Sequence, residues 1–467
     1  MAAGAERVFL RKFLIETVLA ILLAAGRKTE NHSHGHKCTK CQSITCLLKT
    51  SFGEKNHVKS NICVRKTFFR IEKTTTLMKK RYFFYAVMLL SVSLMVCCTK
   101  DETPVEPSDL PMSTAYISDS TTIGEMTVYN IIYPSTDPYG NPIMLSGTIT
   151  FGNSVKTDKQ AQGLLIYNHF TVYRADQCPS KGALTEQQYT SGLDLITVSP
   201  DYYGFGVTEH HHQAYCLSKV NAQASVDALL ATKELLSARG FTWGNLLFNA
   251  GYSQGGQTTM GVVRLVAEKY PDLHLTYSFA GAGSYDISET YRQFITATIA
   301  GMPSTAVSVL LAYNEFYQVG ASREEMFVEP VLSHIDDWIL SKRYTREEID
   351  AKIGSLSIDQ YVSPILLDTT TSLSRRFFSI FERDNICKGW DASKSSHIML
   401  FHNTKDITVP VANSVNMYNF LTAGGATDVV LDTANYGGGN NSTPAHEQGA
   451  LTFMMHAFKK LNSLLGE

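Results

Sequence analysis

Residues 251–255 (GYSQG) have the types and spacing needed for nucleophilic attack by a serine hydroxyl. They follow the apolar, strand-like run NLLFNAGYS and precede QGGQTTMGVVRLVAEKY, which has the composition and period of a helix. At a sharp strand-to-helix turn, a serine adopts strained backbone angles and projects its Oγ above the sheet, and only glycine fits two positions before and after it. The N-terminus of the following helix adds positive potential. The sequence therefore predicts Ser253 as a nucleophile.

A serine hydroxyl needs a base to activate it, and the base needs an acid to orient it. Asp406 follows the apolar segment IMLFHN, at the end of a predicted strand, where ligands approach an open α/β sheet. His446 lies in GGGNNSTPAHEQGA, which the sequence predicts to be a flexible loop before the last helix. We predict Asp406 as the acid and His446 as the base, in the chain order Ser, Asp, His. Asp384 and Asp432 are weaker candidates, because neither follows the late strand after which the acid is expected.

The oxyanion formed by such an attack would need backbone N–H donors. Gln254 follows the nucleophile and supplies the first donor. The second is expected from the loop after the apolar strand GLLIYNHF, which leaves Phe170 and Thr171 as alternatives. Three tyrosines beside the predicted site are interpreted either as pocket lining or as core: Tyr202, Tyr203 and Tyr252.

The order of the predicted elements indicates an α/β fold with a mainly parallel sheet flanked by helices. MTVYNIIYP and PIMLSGTITFG alternate around DPYGN and predict an antiparallel hairpin. Strand and helix patterns then alternate up to residue 281 and again after residue 396, as in a sheet with right-handed crossovers. Residues 285–390 interrupt this rhythm with helical stretches. We expect a single domain over 113–467 with a helical cap at about 285–390 that covers the catalytic mouth.

The chain has 467 residues, of which 44% are hydrophobic and 18% charged, and its net charge of −2 gives no indication of a nucleic-acid partner. Charge is nevertheless distributed unevenly along the chain. Residues 1–77 carry a balance of +9 and the remainder −11. Four of the nine cysteines and no proline lie in the first segment. We interpret residues 1–77 as upstream sequence translated by mistake, with no structure or function of its own.

Met78 begins a basic stretch followed by a short apolar run and two cysteines, MKKRYFFYAVMLLSVSLMVCC. A positive start and an apolar run too short to span a membrane predict a secretory signal over residues 78–98. The segment resembles a bacterial lipoprotein signal, which implies lipidation at Cys97 or Cys98. The following TKDE resembles the acidic export tag of Bacteroidetes surface lipoproteins, and residues 99–112 read as a flexible tether. The expected location is the bacterial cell envelope, as an outer-membrane lipoprotein anchored by lipid, with surface exposure left open.

Two clusters have the composition of metal ligands, but the sequence favours no metal at either. The first is HSHGHKCTKCQSITC (32–46), where no periodic elements flank the C-x-x-C. The second consists of His210, His211 and His212, which are consecutive and cannot all face one ion in a strand or helix. Cys178 and Cys216 are either a disulfide, with Cys387 left over, or free thiols.

Taken together, GYSQGG, YNHFT, PDYYGFG with the histidines after it, and HNTKDITVP resemble the secretory lipase family of the α/β-hydrolases, over roughly residues 120–467. The resemblance implies hydrolysis of carboxylic esters, small or attached to a polymer, without a cofactor. Most relatives have glycine where this chain has Phe170. Two other classes of protein fit these residues less well. A peptidase of the prolyl oligopeptidase type usually carries a large propeller, for which residues 99–160 leave no room. An inactive, surface-binding hydrolase is disfavoured because all three triad residue types are present.

Overall fold

The structure is a computed structural model that describes residues 114–182, 190, 192–437 and 444–466. The predictions for the signal, the lipidated cysteine, the tether and the first His/Cys cluster lie outside the described residues. Within them, nine strands form one sheet. The strands are β1 (Tyr116–Ile123), β2 (Met126–Thr136), β3 (Pro142–Gly152), β4 (Gln160–Asn168), β5 (Leu195–Pro200), β6 (Thr242–Tyr252), β7 (Tyr277–Gly281), β8 (Ser396–Asn403) and β9 (Thr427–Ala434).

The sheet has the order β1-β2-β3-β5-β4-β6-β7-β8-β9. The pairs β1–β2, β2–β3 and β3–β5 are antiparallel, and every pair from β5 to β9 is parallel. The predicted hairpin is therefore confirmed as β2–β3. Its turn is fixed by Asp137, whose Oδ1 accepts the backbone N–H groups of Tyr139 and Asn141 at 2.9 and 2.8 Å. The edge strand β1 was not predicted.

Helices cover both faces of the parallel part. The α-helices of the described part are α1 (Asn153–Asp158), α2 (Ser218–Ser237), α3 (Gln254–Lys269), α4 (Ile287–Ala297), α5 (Pro303–Phe316), α6 (Arg323–Met326), α7 (Val331–His334), α8 (Arg346–Ile353), α9 (Pro364–Leu367), α10 (Ser372–Asp384), α11 (Ala412–Ala423) and α12 (Ala445–Leu465). A π-helical stretch spans Ile335–Leu340. Because each central strand is covered on both sides, its sequence is a continuous apolar run. In β4, Leu164 and Ile166 pack into one core cluster and Leu165 and Tyr167 into another.

The last helix is fixed to the sheet by a buried aromatic group. Phe453 of α12 is fully buried, and its ring centroid lies 5.5 Å from that of Tyr252 and 5.8 Å from that of Phe401. Burying one such side chain contributes about 1.5–3 kcal/mol to stability. Since Tyr252 belongs to β6 and Phe401 to β8, this contact fixes α12 relative to the two strands that precede Ser253 and Asp406.

The segment between β7 and β8, residues 282–395, forms a helical insertion that contains α4 to α10. It contacts the loop that follows β5. Lys342 donates through its Nζ to the carbonyl oxygens of Glu209 and His211, at 2.5 and 2.6 Å, and burial lowers the pKa of its amine to about 8. The hydroxyl oxygen of Tyr313 lies 3.1 Å from the carbonyl oxygen of Cys216. The insertion therefore packs against the carboxyl edge of the sheet.

Cys178, Cys216 and Cys387 are free thiols. Burial raises the pKa of Cys178 and of Cys216 to about 12, so both thiols stay protonated. In the described residues, no group of three or more His, Cys, Asp or Glu side chains is placed to hold a metal ion. Helices of the described ranges are too short or too polar to cross a membrane.

Candidate active site

The site lies where the order of the strands reverses. From β4 the chain passes to β5 on one side, and it returns to β6 on the other side of β4. The ends of β4 and β6 lie side by side, with Asn168 paired to Gly251. Ligands of open α/β sheets bind outside the carboxyl ends of the strands at such a reversal. The loop after β4 and Ser253 after β6 therefore meet there.

Ser253 occupies the turn between β6 and α3 with φ 59° and ψ −122°. A positive φ is unusual for a residue other than glycine and persists only where the surroundings impose it. The backbone N–H of Ser253 donates to the carbonyl of Gly281 at 2.8 Å, and the carbonyl of Ser253 accepts from Gln257 at 3.0 Å. A Cβ on Gly251 would lie 2.4 Å from the carbonyl oxygen of Gly255. The predicted strained turn is therefore present, and it leaves no space for a side chain at residue 251.

The imidazole of His446 bridges Ser253 and Asp406. Its Nε2 lies 2.8 Å from Ser253 Oγ, and its Nδ1 lies 2.5 Å from Asp406 Oδ2. With Nδ1 donating to the carboxylate, Nε2 is free to accept the proton of the serine hydroxyl. The three residues that the sequence singled out are thus brought into one continuous hydrogen-bonded chain.

The sequence predicts His446 in a flexible loop, but the structure places it in a helix. It is the second residue of α12, and it is 4% exposed. Pro444 directly precedes the helix, with φ −56° and ψ 139°. Tyr252 donates through its hydroxyl to the carbonyl of His446 at 2.7 Å, and Asn403 donates to that of Ala445 at 2.9 Å. The sheet thereby fixes the backbone of the histidine.

Asp406 is held in an ionised state by its surroundings. Burial alone would raise the pKa of this carboxyl, but the charge of His446 and hydrogen bonds from His402 and His446 outweigh it and lower the pKa well below its usual range. Oδ1 also accepts the backbone N–H groups of Thr408 and Val409, at 2.8 and 2.9 Å. The carboxylate is therefore both a turn-forming group and the partner of His446.

His402, a buried residue of β8, was not singled out from the sequence. Its Nε2 lies 2.7 Å from the carbonyl oxygen of Val409 and 3.4 Å from Asp406 Oδ2. The sequence feature that could have indicated His402 is a histidine within the apolar run IMLFHN, four residues before an aspartate.

The loop after β4 packs directly on the start of α3. A Cβ on Gly255 would lie 2.1 Å from the carbonyl oxygen of Asn168. Gln254 is the first residue of α3, so its backbone N–H has no partner within the helix. His169 Nδ1 lies 2.6 Å from the carbonyl oxygen of Phe170, which can only accept. In a planar trans peptide the C=O and N–H groups point in opposite directions, so the N–H of Thr171 points away from that imidazole.

The three tyrosines are buried, and their exposed fractions are 1% for Tyr202, 5% for Tyr203 and 4% for Tyr252. Tyr202 stacks on His169 with ring centroids 4.2 Å apart, and Tyr252 bonds to the backbone of His446. All three are therefore packed against neighbouring groups, as the core alternative expects.

The two weaker acid candidates have other partners. Asp384 accepts from the hydroxyl of Tyr313 at 2.6 Å, inside the insertion. Asp432 of β9 lies 2.6 Å from Nδ1 of His456 and also accepts from the hydroxyl of Tyr436. Neither carboxylate contacts His446.

A mainly parallel sheet with a serine at a strand-to-helix turn, at the reversal of strand order, defines an α/β-hydrolase. Residues 189–463 match the secretory lipase family, and the chain belongs to that family. No curated protein was found with a matching sequence.

Solved structures share the fold at low sequence identity. The esterase LipA of Xanthomonas oryzae, described as degrading rice cell wall, is 19% identical, covers 74% of this chain and 91% of its own, and has a TM-score of 0.61. A proposed hydrolase from Legionella pneumophila is 21% identical, covers 75% of this chain and 91% of its own, and has a TM-score of 0.60. Lipase A of Candida antarctica in its closed state is 14% identical, covers 71% of this chain and 81% of its own, and has a TM-score of 0.51.

Proposed function

We propose that this lipase-family hydrolase cleaves carboxylic esters through an acyl-enzyme on Ser253. The observation that carries the proposal is the chain of contacts from Ser253 Oγ to His446 Nε2 at 2.8 Å and from His446 Nδ1 to Asp406 Oδ2 at 2.5 Å. A base within hydrogen-bond reach of a hydroxyl, itself oriented by a carboxylate, is the arrangement that activates a serine.

In the proposed reaction, Ser253 Oγ attacks the carbonyl carbon of the ester while His446 Nε2 takes its proton. The imidazolium then returns this proton to the departing alcohol, which leaves the acyl group on Ser253. A water molecule, deprotonated by the same nitrogen, attacks the acyl-enzyme, and the carboxylic acid is released. Asp406 stays ionised throughout and stabilises the imidazolium.

The oxyanion of each tetrahedral intermediate would accept hydrogen bonds from the backbone N–H groups of Gln254 and Thr171. Thr171 is favoured over Phe170, because the contact of His169 with the carbonyl oxygen of Phe170 fixes the peptide that carries the N–H of Thr171. Burial lowers the pKa of His169, which keeps its imidazole neutral at neutral pH. Such a donor is worth on the order of 10²–10³-fold in rate.

The helical insertion would act as the cap, since it packs on the loop after β5 at the edge where Ser253 projects. Its apolar residues would then set the preferred acyl length, and each methylene in contact would be worth about 1–3 kcal/mol. Small and polymer-attached esters both remain compatible with this site.

A fluorophosphonate probe should label the wild-type protein at Ser253, because a serine that a base activates displaces fluoride from the probe and forms a phosphonate ester. Mass spectrometry of the labelled peptide would identify the residue. An inactive binding protein of the same fold would not react, and a label on another serine would contradict the assignment.

We also propose that the mature protein begins at Cys97 or Cys98 and is held at the cell envelope by lipid, with the residues from Met78 up to that cysteine removed. Intact-mass analysis of the protein from its native host should give the mass of a chain that starts at one of these cysteines, increased by acyl groups. Peptides from residues 1–77 in the same cells would contradict the interpretation of that segment as mistranslated.

A further inference from the structure

An ion pair joins the helical insertion to the first turn of α12. Arg346 is the first residue of α8, and one of its guanidinium nitrogens contacts the carboxylate of Glu447. Glu447 directly follows His446 in the chain. The side chain of Arg346 is 16% exposed and that of Glu447 is 41% exposed, so solvent is largely excluded from the guanidinium end of the pair.

Arg346 is itself anchored within the insertion. Its second terminal nitrogen lies 3.1 Å from Oδ2 of Asp350, one turn further along α8. The other oxygen of Asp350 accepts the backbone N–H of Ser304, at the start of α5, at 2.8 Å. The guanidinium is thus connected to two helices of the insertion, α8 and, through Asp350, α5, as well as to Glu447.

Other arginines of the insertion pair only with neighbours in the insertion. Arg323 contacts Asp336 with both terminal nitrogens, at 2.7 and 2.8 Å, and its side chain is 42% exposed. Arg343 contacts Asp337 through one terminal nitrogen. These pairs stabilise the insertion without reaching the sheet domain.

The insertion also contacts the turn that carries the acid. A Cβ on Gly301 would lie 2.4 Å from the Oγ1 of Thr408, whose backbone N–H donates to Asp406. The insertion therefore contacts the turn that carries Asp406 and, through Arg346, the start of α12, which carries His446.

From these contacts we infer that Arg346 is a positioning residue for His446, so that the insertion helps to assemble the base as well as to enclose the substrate. This inference rests on the proposed function. Tyr252 and Asn403 hold the backbone at residues 445–446 from the sheet, and Arg346 holds the next residue from the insertion. If the insertion moves away, the first turn of α12 loses this third support, and the distance from His446 to Ser253 is less well defined.

Arg346→Ala should lower kcat for p-nitrophenyl acetate about tenfold to hundredfold with little change in KM, since a misplacement of about 1 Å costs up to about 10²-fold. The acetate group is too small to depend on acyl contacts with the insertion. Arg346→Lys should recover part of kcat, and Glu447→Gln should lower kcat as Arg346→Ala does.

Arg323→Ala is the matched control, because it removes an ion pair confined to the insertion and should keep wild-type kinetics. The exchange Arg346→Glu with Glu447→Arg should recover more activity than either single variant. Kinetics of Arg346→Ala no different from those of Arg323→Ala, with only a lowered Tm, would overturn the inference. Wild-type protein and Ser253→Ala are assayed in parallel, so that a wild type without esterase activity counts against the proposed function and not against the role of Arg346.

Discussion

Ser253→Ala should abolish ester hydrolysis and leave the fold intact. The substitution removes only the attacking oxygen, and the backbone contacts of residue 253 with Gly281 and Gln257 do not depend on the side chain. Loss of the nucleophile in comparable hydrolases lowers kcat on the order of 10⁶-fold. Initial rates with p-nitrophenyl acetate, together with far-UV circular dichroism and Tm, would measure both parts of this prediction.

Ser333→Ala provides the control, because Ser333 is an exposed serine of the insertion that bonds only to nearby groups there. It should keep wild-type rates and fluorophosphonate labelling. A Ser253→Ala protein that retains a tenth of the wild-type activity after purification would refute Ser253 as the nucleophile.

Asp406→Asn should lower kcat about 10⁴-fold with a nearly unchanged KM. The amide carries no negative charge to stabilise the His446 imidazolium, and its NH₂ group favours the tautomer in which Nε2 carries the proton. In that tautomer Nε2 cannot accept the proton of Ser253. Steady-state kinetics at several pH values would show a loss across the whole profile.

Asp432→Asn is a closely matched control, since Asp432 also lies 2.6 Å from Nδ1 of a histidine, His456. That pair has no serine beside it in the described structure, and the variant should hydrolyse esters at the wild-type rate. If Asp432→Asn were crippled and Asp406→Asn remained near normal, Asp406 would be the wrong acid.

The lowered pKa of Asp406 also determines the pH range in which protonation of this carboxylate affects the site. A carboxyl whose pKa is lower in the folded than in the unfolded state contributes stability above its unfolded value, about 3.9, and loses it as pH falls below that value towards the folded pKa. Protonation of Asp406 therefore does not interfere with activity measured above about pH 5. Acid loss of activity in that range must come from other groups.

The parts of the site that depend on local sequence could be predicted, and those that depend on tertiary packing could not. Ser253 was recognisable because a strand, glycines at fixed positions and a helix are all read from consecutive residues. Asp406 was recognisable because the apolar run before it marks the end of a strand. The helix around His446 was not, since its early start depends on contacts from Tyr252 and Asn403 that belong to distant strands.

The same distinction applies to the supporting residues. Arg346 lies in a polar stretch of the insertion, and nothing in its neighbourhood indicates Glu447, which follows it by 101 residues. The sequence left Tyr202 and Tyr203 between pocket lining and core for a related reason. A tyrosine at the end of a strand can face either the cleft or the core, and only the packing of the neighbouring loops determines which.

The separation of the site residues along the chain has a consequence for how activity appears during folding. Ser253 and His446 are 193 residues apart, and the helix that carries His446 is among the last elements of the chain. Contacts at such separations form slowly, because a long loop must be closed before they can contribute to stability. In the proposed mechanism, Ser253 has no base until α12 docks through Phe453. A chain that is still being synthesised or exported would then be unable to cleave esters, and the onset of esterase activity would report the docking of α12.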